Sequence, residues 1–390
     1  MPFKSLDSAE IAQKKVLMRV DFNIPLAENK ILDDFRIQQT LPTIKLLKEK
    51  KAAKIILVSH LGRPSGKDEK FSLQPIADYL EQLIHEKIYF LKTPIGKELL
   101  EEIENILDNS IVLLENIRFY EEEEKNDKNF AKELAEMADC LVNEAFSASH
   151  RKAASLCAIT EFLPSYSGKL LEKEISNLNK VSKNSAKPLV IILGGAKIKD
   201  KLPLAEKFLA EADYILLGGV MANTVLKANN FSIGQSLFEE VMEEAKKLGS
   251  QKAELILPGD FAVLDKNGKK QIRELGKISE KDKILDIGPI TGHTFDQIIS
   301  KAKTIFWNGP LGKFEDQRFK DGTNQIIDSI IKNKTAFTVI GGGETIASFR
   351  IFDTKFQIPN SIFLSTGGGA TLEYLAGEPL PGLVSLEKDC

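Results

Sequence analysis

Long apolar runs and paired cysteines are both missing from this chain of 390 residues, and their absence excludes several classes of protein. No run reaches the ~18–20 apolar residues that a membrane helix needs. The three cysteines, Cys140, Cys157 and Cys390, form no CxxC pair, so the sequence predicts neither a disulfide framework nor a zinc site. The first residues, Met1 to Leu6, resemble neither a signal peptide nor a transit peptide. We therefore expect a cytoplasmic protein without a membrane partner.

The chain also lacks an excess of basic charge, and it is poor in arginine. Lysine and arginine total 53 against 56 aspartates and glutamates, for a net charge of −3, which argues against a nucleic-acid partner. Only eight of the 53 cations are arginines, and five of these precede residue 152. The rigid guanidinium fork suits carboxylate and phosphate. Each arginine of the first half is therefore a candidate anion ligand.

Two common nucleotide-binding motifs are absent as well. The chain contains neither the G-x-x-x-x-G-K-[ST] motif of P-loop proteins nor a G-x-G-x-x-G motif after a strand. A P-loop nucleotidase and a nicotinamide-dependent dehydrogenase therefore lose their usual support.

The apolar residues that are present form short runs separated by helix-length amphipathic segments. Runs of this length suit strands that are buried on both faces, and their alternation with helices predicts parallel sheets. We expect an α/β fold of two doubly wound, Rossmann-like parallel-sheet domains joined by a hinge helix. The eight predicted strands are Val16–Val20, Lys54–Val58, Ile111–Leu114, Cys140–Val142, Leu189–Leu193, Tyr214–Leu217, Thr304–Trp307 and Phe337–Ile340. The acidic run Glu121–Glu124 is interpreted as a solvated helix start.

In the first half, arginine and histidine follow the predicted strands. Ligands of doubly wound sheets bind at the carboxyl ends of the strands, so these residues are expected to converge on one rim. They are Arg36 (in a stretch that looks like a loop), His60, Arg63, Arg118, His150 and Arg151. Asp21 and Asn23 add groups that suit substrate hydroxyls. Each arginine could instead form a salt bridge within its own domain, and Arg19, inside a strand, is expected to pair internally.

In the second half, five glycine-rich loops follow the predicted strands. They begin at Gly194, Gly218, Asn308, Gly341 and Gly367. Glycine lets backbone amides approach a phosphate closely, and a helix that begins just afterwards adds its positive dipole end. Lys197 and Lys201 are four residues apart and would share a helix face if the helix has already begun. These loops predict a site for nucleotide phosphates.

Taken in order, the motifs of both halves resemble those of the phosphoglycerate kinases along the whole chain. The motifs are Arg19-Val20-Asp21-Phe22-Asn23 with Pro25, Ser59-His60-Leu61-Gly62-Arg63-Pro64, Gly194-Gly195-Ala196-Lys197 with Asp200-Lys201, Trp307-Asn308-Gly309-Pro310, Gly341 to Thr345, and Ser365 to Ala370. The resemblance implies Mg²⁺-dependent, reversible phosphoryl transfer from 1,3-bisphosphoglycerate to ADP, with closure of a hinge. It also implies a substrate domain (1–168), a nucleotide domain (169–371), a C-terminal segment (372–390) that returns to the first domain, and a monomer.

The resemblance further assigns roles to individual residues. It implies that the glycerate substrate is bound by Asp21, Asn23, Arg36, His60, Arg63, Arg118 and Arg151. It implies that the migrating phosphoryl group is met by Arg36, Lys197, Gly367, Gly368 and Gly369. It implies that the nucleotide is bound by Lys201, Gly219, Asn308, Glu315, Gly341, Gly342, Gly343, Glu344 and Thr345, with Glu344 facing the metal.

The chain departs from the family pattern at several of these positions. Glu344 stands where the family usually has aspartate, Ser147-Ala148 replaces glycine-threonine, and Val220 replaces a third glycine. None of these changes removes a charged group from the expected chemistry. The alternative to an active kinase is a binding protein on the same scaffold that has lost activity, but the retained Arg36, Lys197 and Lys201 argue against it.

Overall fold

The computed structural model describes residues 3–248, 252–352 and 358–387. The chain divides into two compact units, one formed by Met1–Ile175 with Pro379–Cys390 and the other by Ser176–Glu378. The division falls inside one helix, Lys169–Ser182. The boundaries at residues 168 and 371 were predicted for a substrate domain and a nucleotide domain, and they stay a prediction.

The first unit is built on a parallel sheet of six strands, with a short hairpin beside it. Its strands are β1 (Lys15–Arg19), β2 (Leu26–Ala27), β3 (Lys30–Ile31), β4 (Lys54–Val58), β5 (Ile88–Leu91), β6 (Ser110–Leu114), β7 (Cys140–Asn143) and β8 (Ser165–Ser167). The sheet order is β5-β6-β4-β1-β7-β8, and β2 pairs with β3. The helices before the division are α1 (Phe35–Glu49), α2 (Gln74–Ile84), α3 (Lys97–Asn105), α4 (Glu121–Lys125) and α5 (Lys128–Ala135), and α6 (Lys169–Ser182) contains the division.

The second unit has a second parallel sheet of six strands and an antiparallel sheet of three. Its strands are β9 (Leu189–Leu193), β10 (Tyr214–Leu217), β11 (Glu254–Ile256), β12 (Asp260–Leu264), β13 (Lys270–Glu274), β14 (Lys283–Ile287), β15 (Thr304–Asn308), β16 (Phe337–Gly341) and β17 (Ile362–Leu364). The parallel order is β11-β10-β9-β15-β16-β17, and the antiparallel order is β13-β12-β14.

The helices of the second unit alternate with these strands. They are α7 (Leu202–Glu211), α8 (Gly219–Ala228), α9 (Met242–Lys247), α10 (Pro289–Ile299), α11 (Asp321–Lys332), α12 (Gly343–Phe352) and α13 (Gly369–Ala376), and the last described helix, α14 (Pro381–Glu387), belongs to the first unit. No helix in the described ranges is long and apolar enough to span a membrane.

The apolar runs form strands because both faces of the sheet are covered. In β4, Ile55 and Leu57 belong to one buried cluster, whereas Ile56 and Val58 belong to another. Successive side chains of a strand point to opposite faces, so each run supplies two cores. All eight predicted strands are present, and the expected fold of two doubly wound parallel-sheet domains is confirmed.

Two local predictions were wrong. Arg36 does not lie in a loop, because α1 begins at Phe35. Glu123, inside the acidic run expected to be solvated, is 2% exposed. The condition for Lys197 and Lys201 to share a helix face is not met, because α7 begins only at Leu202.

Strand order places the candidate residues at two switch points. In the first sheet the chain leaves β1 toward β4 on one side and later reaches β7 on the other, and in the second sheet β9 and β15 have the same relation. Loops after such strands diverge and leave a crevice for ligands. The loops after β1 and β7, and those after β9 and β15, are therefore the places to look for a site.

Candidate active site

Asp21 is the centre of the rim in the first unit. One oxygen of its buried carboxylate accepts hydrogen bonds from the Ser147 hydroxyl and from Nη1 of Arg36 at 2.9 Å, and the other accepts from the Asn23 N–H at 2.9 Å. Burial alone would raise the pKa of Asp21, but the charge of Arg36 and the bond from Ser147 outweigh it and hold the pKa well below the usual range. Asp21 is therefore an ionised acceptor at neutral pH.

Asn23 and Arg36 join the loop after β1 to its neighbours. The side-chain oxygen of Asn23 accepts a hydrogen bond from the Gly62 N–H at 2.9 Å. Arg36 donates to the backbone oxygen of Asn23 at 3.0 Å. These bonds fix the loops after β1 and β4 against the start of α1.

His60 is a neutral member of this rim. It is 4% exposed, and its Nδ1 lies 3.3 Å from Nη2 of Arg19 and 3.8 Å from a carboxylate oxygen of Asp21. Burial lowers the pKa of His60 well below its ordinary value, and the attraction of Asp21 does not compensate. The imidazole therefore offers hydrogen bonding rather than charge at neutral pH.

The remaining arginines supply the positive charge. Arg118 donates to the Gly62 carbonyl at 2.7 Å, and its Nε lies 3.2 Å from a carboxylate oxygen of Glu124. Nη1 of Arg151 lies 3.9 Å from the same oxygen. Burial, followed by repulsion from Arg151, lowers the pKa of Arg118 to about 10, so it stays cationic. Arg63 is exposed and, in the described part of the chain, has no carboxylate partner.

Arg19 pairs inside the unit, as expected from its place in a strand. It is 2% exposed, donates from Nε to the Ser155 hydroxyl at 2.8 Å, and has Nη2 3.8 Å from Glu123. Glu123 in turn accepts from the Ser155 N–H at 2.9 Å and from its hydroxyl at 2.6 Å. This buried group is structural, and it holds α4 beside the rim.

In the second unit, backbone groups of the loops after β9 and β15 form the crevice at the switch point. The Gly194 N–H donates to the Asn308 carbonyl at 2.9 Å, and the Gly195 N–H donates to the Pro310 carbonyl at 2.7 Å. Gly309 has φ of +93°, and a Cβ there would lie 2.2 Å from the Gly194 carbonyl oxygen. Only glycine fits this crossing of two loops.

The start of α8 approaches the same crossing. Gly219 has φ of +57°, and a Cβ there would lie 2.8 Å from the Gly195 nitrogen. Thr345, in the first turn of α12, is buried and accepts a hydrogen bond from the Gly309 N–H at 2.7 Å. The Thr345 hydroxyl thus holds the loop after β15, and its predicted nucleotide contact stays a prediction.

Lys201 is a buried cation behind the loop after β9. Its Nζ donates to the carbonyls of Gly194 at 2.6 Å and Ala196 at 2.9 Å. Burial lowers the pKa of Lys201 to about 8, against the opposing attraction of Glu344. Lys197 is exposed and has φ of +59°, a left-handed conformation that is uncommon for a residue with a side chain and often marks a functional loop.

Two further glycine loops open directly onto helix N-termini. Gly342 has φ of +91° before α12, and Gly368 has φ of +55° before α13. A Cβ on Gly343 or Gly368 would meet nothing within 4 Å. The first N–H groups of such helices, with the helix dipole, attract phosphate. The Gly367 N–H differs, because it donates to the Ser365 hydroxyl at 3.2 Å.

A cavity of about 550 Å³ lies in the second unit beside these loops. Of the predicted residues, Gly219, Glu315 and Glu344 line it. Its apolar wall includes Phe261, Ile284 and Ile287 from the antiparallel sheet, together with Leu237. An apolar cavity of this size with a few polar groups suits a planar ring such as a nucleobase.

This wall and two sets of contacts on the rim were not predicted from the sequence. A signal for the antiparallel sheet was present, because Asn267-Gly268 between β12 and β13 is a hairpin turn pair. Ser147 was noted as a change of loop geometry, whereas the structure shows its hydroxyl on Asp21. The pairing of Glu124 with Arg118 and Arg151 has no signal in the sequence, because it depends on where α4 lies.

The described residues fit a Mg²⁺ that arrives on phosphates better than one held permanently by protein. No group of three or more His, Cys, Asp and Glu side chains that could hold a metal occurs within residues 3–248, 252–352 and 358–387. Glu344 offers an exposed carboxylate on the cavity. Mg²⁺ in nucleotide sites commonly takes one or two carboxylates, with phosphates and waters as the other ligands.

The predicted residues therefore form two groups, one in each unit. Direct contacts connect Asp21, Asn23, Arg36 and His60, and bonds to Gly62 connect Arg118 to Asn23. In the second group, contacts at the crossing of the loops after β9 and β15 are made by Lys201, Gly219, Asn308 and Thr345, and Glu315 and Glu344 line the cavity beside it. The roles given to single residues in either group stay predictions.

Known proteins resemble this chain over its whole length. The family model described as phosphoglycerate kinase matches residues 6–378. A phosphoglycerate kinase of Coprothermobacter proteolyticus is 42% identical over 397 residues, covering 99% of both chains. One of Borreliella afzelii is 43% identical and covers 98% of both chains.

Solved structures agree with the sequence relatives. A phosphoglycerate kinase from Coxiella burnetii has a TM-score of 0.85 at 33% identity, covering 99% of both chains. One from Pyrococcus horikoshii OT3 has a TM-score of 0.87 at 32% identity, with the same coverage. With a family model matching nearly the whole chain and relatives above 40% identity, the chain belongs to the phosphoglycerate kinase family.

Proposed function

We propose that this chain catalyses the reversible transfer of a phosphoryl group from 1,3-bisphosphoglycerate to ADP, giving 3-phosphoglycerate and ATP. The observation that carries the proposal is that the two switch points are lined by different kinds of groups. One has an ionised acceptor among arginines, which suits a small phosphorylated acid. The other has glycine loops, helix N-termini and an apolar cavity, which suit a nucleotide.

On the substrate side, the charges divide the work. Arg118, Arg151 and Arg63 bind the phosphate that is not transferred, because guanidinium groups suit phosphate oxygens. Asp21 accepts a hydrogen bond from the substrate hydroxyl. Arg36, which Asp21 orients through its bond at 2.9 Å, meets the carboxyl end and the migrating group.

On the nucleotide side, the base occupies the cavity lined by Phe261 and Leu237, and Glu315 binds the ribose. Lys201 and the amides at the starts of α12 and α13 meet the phosphates. Glu344 would hold Mg²⁺ together with the nucleotide phosphates, and the ion would supply positive charge that neutralises their oxygens. Lys197 approaches the group in transfer.

The reaction needs positioning more than acid or base chemistry. An oxygen of the ADP β-phosphate forms a bond to the phosphorus as the acyl oxygen leaves as a carboxylate, a good leaving group that needs no proton. Catalysis then rests on in-line alignment and on charge around the phosphoryl oxygens. Because the two groups of residues belong to different units, we propose that the units close during transfer and exclude water, which would otherwise hydrolyse the acyl phosphate.

We also propose that the enzyme is a cytoplasmic monomer. The three cysteines without a CxxC pair suit a reducing compartment. Sedimentation at several protein concentrations would test the monomer, and a second species that carries the activity would contradict it.

A coupled assay tests the proposed reaction. The purified chain is mixed with 3-phosphoglycerate, Mg-ATP, glyceraldehyde-phosphate dehydrogenase and NADH, and we expect NADH to be consumed only when all components are present. Folded protein that binds 3-phosphoglycerate and ATP without consuming NADH would instead identify a binding protein on the kinase scaffold.

A further inference from the structure

Two neighbouring glutamates of α4 have opposite surroundings. Glu123 is 2% exposed and is held by Ser155, as described above. The side chain of Glu124 is 61% exposed and forms ion pairs with Arg118 and Arg151. Glu123 therefore fixes the helix, whereas the Glu124 side chain can change rotamer at little cost.

The carboxylate of Glu124 occupies a position that suits a phosphate oxygen. A single oxygen, Oε1, lies 3.2 Å from Nε of Arg118 and 3.9 Å from Nη1 of Arg151. Both arginines also line a neighbouring cavity of about 410 Å³. An anion between two guanidinium groups there would be in the same place as the Glu124 oxygen, so the two cannot be present together.

An anion in this position stabilises the charge of the two arginines. The side chain of Arg118 is 8% exposed, and burial lowers its pKa, as does repulsion from Arg151 and Arg19. Glu124 acts in the opposite direction. Without a substrate, the carboxylate relieves repulsion between the two cations.

We propose that Glu124 is a specificity-determining residue that occupies the substrate phosphate position in the free enzyme and must move out when the phosphate binds. This inference rests on the proposed function, since it takes Arg118 and Arg151 as phosphate ligands. A phosphate dianion with three oxygens displaces the glutamate, because it can bond to both forks at once. A singly charged carboxylate gains too little binding free energy to displace Glu124. Glu124 therefore keeps weaker anions from binding between the two arginines.

The test compares Glu124→Gln with Glu121→Gln. Glu121 lies on the same helix, is 75% exposed and pairs with Lys125 at 2.9 Å, so its variant has the same change of charge without a change at the arginines. We expect Glu124→Gln to lower KM for 3-phosphoglycerate and the dissociation constant of inorganic phosphate by about 2- to 5-fold. The kcat and KM for Mg-ATP should not change, because the gain is in binding alone. Glu121→Gln should match the wild type.

Measurements at high salt distinguish the direct contact of Glu124 with the arginines from a long-range effect of its charge. A long-range effect of the lost charge would fade at 0.3 M KCl, at a Debye length of about 5–6 Å, whereas the effect of a displaced contact would persist. An unchanged or higher dissociation constant for inorganic phosphate in Glu124→Gln, or an equal change in Glu121→Gln, would overturn the proposal.

Direct binding keeps this inference separable from the proposed reaction. Calorimetric titration of wild type and Glu124→Gln with inorganic phosphate needs no turnover. A tighter variant with an inactive wild type would support the role of Glu124 and contradict the kinase reaction. An active wild type with no difference between the proteins would do the reverse. Thermal unfolding checks that both variants are folded.

Discussion

The two units use opposite means to prepare a place for an anion. In the first, long cationic side chains converge, and carboxylates such as Asp21 and Glu124 hold them in position. In the second, side chains are missing at the decisive points, since Gly309 and Gly219 let two loops cross at a distance that excludes a Cβ. Side-chain charge can be adjusted by neighbours, whereas a backbone crossing tolerates no added atom.

The largest expected effect is on kcat and comes from a substitution in the first unit, where side chains form the proposed anion site. Arg36→Ala should lower kcat by about 100- to 1000-fold, with a much smaller rise in KM, because it removes a charge that is needed most in the transition state. Steady-state assays with both substrates measure this. Lys45→Ala is the control, since Lys45 is exposed on the same helix and pairs with Glu49 at 3.8 Å. If Arg36→Ala mainly raises KM, Arg36 binds substrate without promoting transfer.

In the second unit, a substitution at the crossing of the two loops should weaken nucleotide binding through a steric clash. Gly309→Ala would place a Cβ 2.2 Å from the Gly194 carbonyl oxygen, and we expect at least about 10-fold weaker nucleotide binding with a loss of stability beyond the ~1–3 kcal/mol of backbone strain. Gly268→Ala is the matched control, because φ there is +73° but a Cβ would meet nothing within 4 Å. Chemical unfolding and nucleotide titration distinguish strain from collision. Equal losses in both variants would show that φ alone matters.

Lys201, a buried cation of the proposed nucleotide site, gives the second unit a pH dependence. As pH rises through about 8, Lys201 loses its proton, and nucleotide affinity should fall by up to about 10-fold. The stability contribution has the opposite sign. Between pH 8 and 10.5 the unfolded lysine keeps a proton that the folded one has lost, so stability rises with pH.

Nucleotide titrations from pH 6.5 to 9.5 measure this effect in the wild type and in Lys201→Met. The variant should bind weakly with a flat profile. If its profile keeps the same slope as the wild type, a group other than Lys201 causes the pH dependence.

The smallest expected effect is a difference in salt sensitivity. Raising KCl from 0.05 to 0.3 M should raise KM for 3-phosphoglycerate by about 2- to 5-fold and KM for Mg-ATP by less, because screening acts on exposed charges more than on amide dipoles and an apolar cavity. Potassium acetate serves as a control for chloride binding. Equal sensitivity of the two KM values would remove the distinction between the halves.

Much of the fold could be predicted, because its signals are local. The runs that became β4, β9 and β10 were predicted with the bounds that the structure has. Several of the strands that were missed are short or exposed, such as β8 with three residues and β13, although the buried five-residue β12 was missed as well. Burial on both faces leaves a continuous apolar run in the sequence, whereas an exposed or very short strand leaves no such signal.

The site could be predicted in part, for the same reason. Residue types at strand ends indicated an anion site on each half, and Arg19 was correctly expected to pair internally. The sequence could not show that α1 begins early enough to include Arg36, or that α7 begins too late to include Lys197. The residue at which a helix begins or ends depends on capping and packing. The sequence pattern does not fix that residue to within one or two positions.

The sequence by itself determined which groups are available: eight arginines, five of them in the first half, and glycine-rich loops in the second half. Only the tertiary structure decided how these groups are used. Burial keeps His60 neutral and moves the pKa of Lys201 to about 8, whereas the charge of Arg36 and the hydrogen bond from Ser147 keep Asp21 ionised against the effect of burial. The physical reason is that charge depends on solvent access and on neighbours distant in sequence, such as Ser147 beside Asp21, which meet only when the sheet forms.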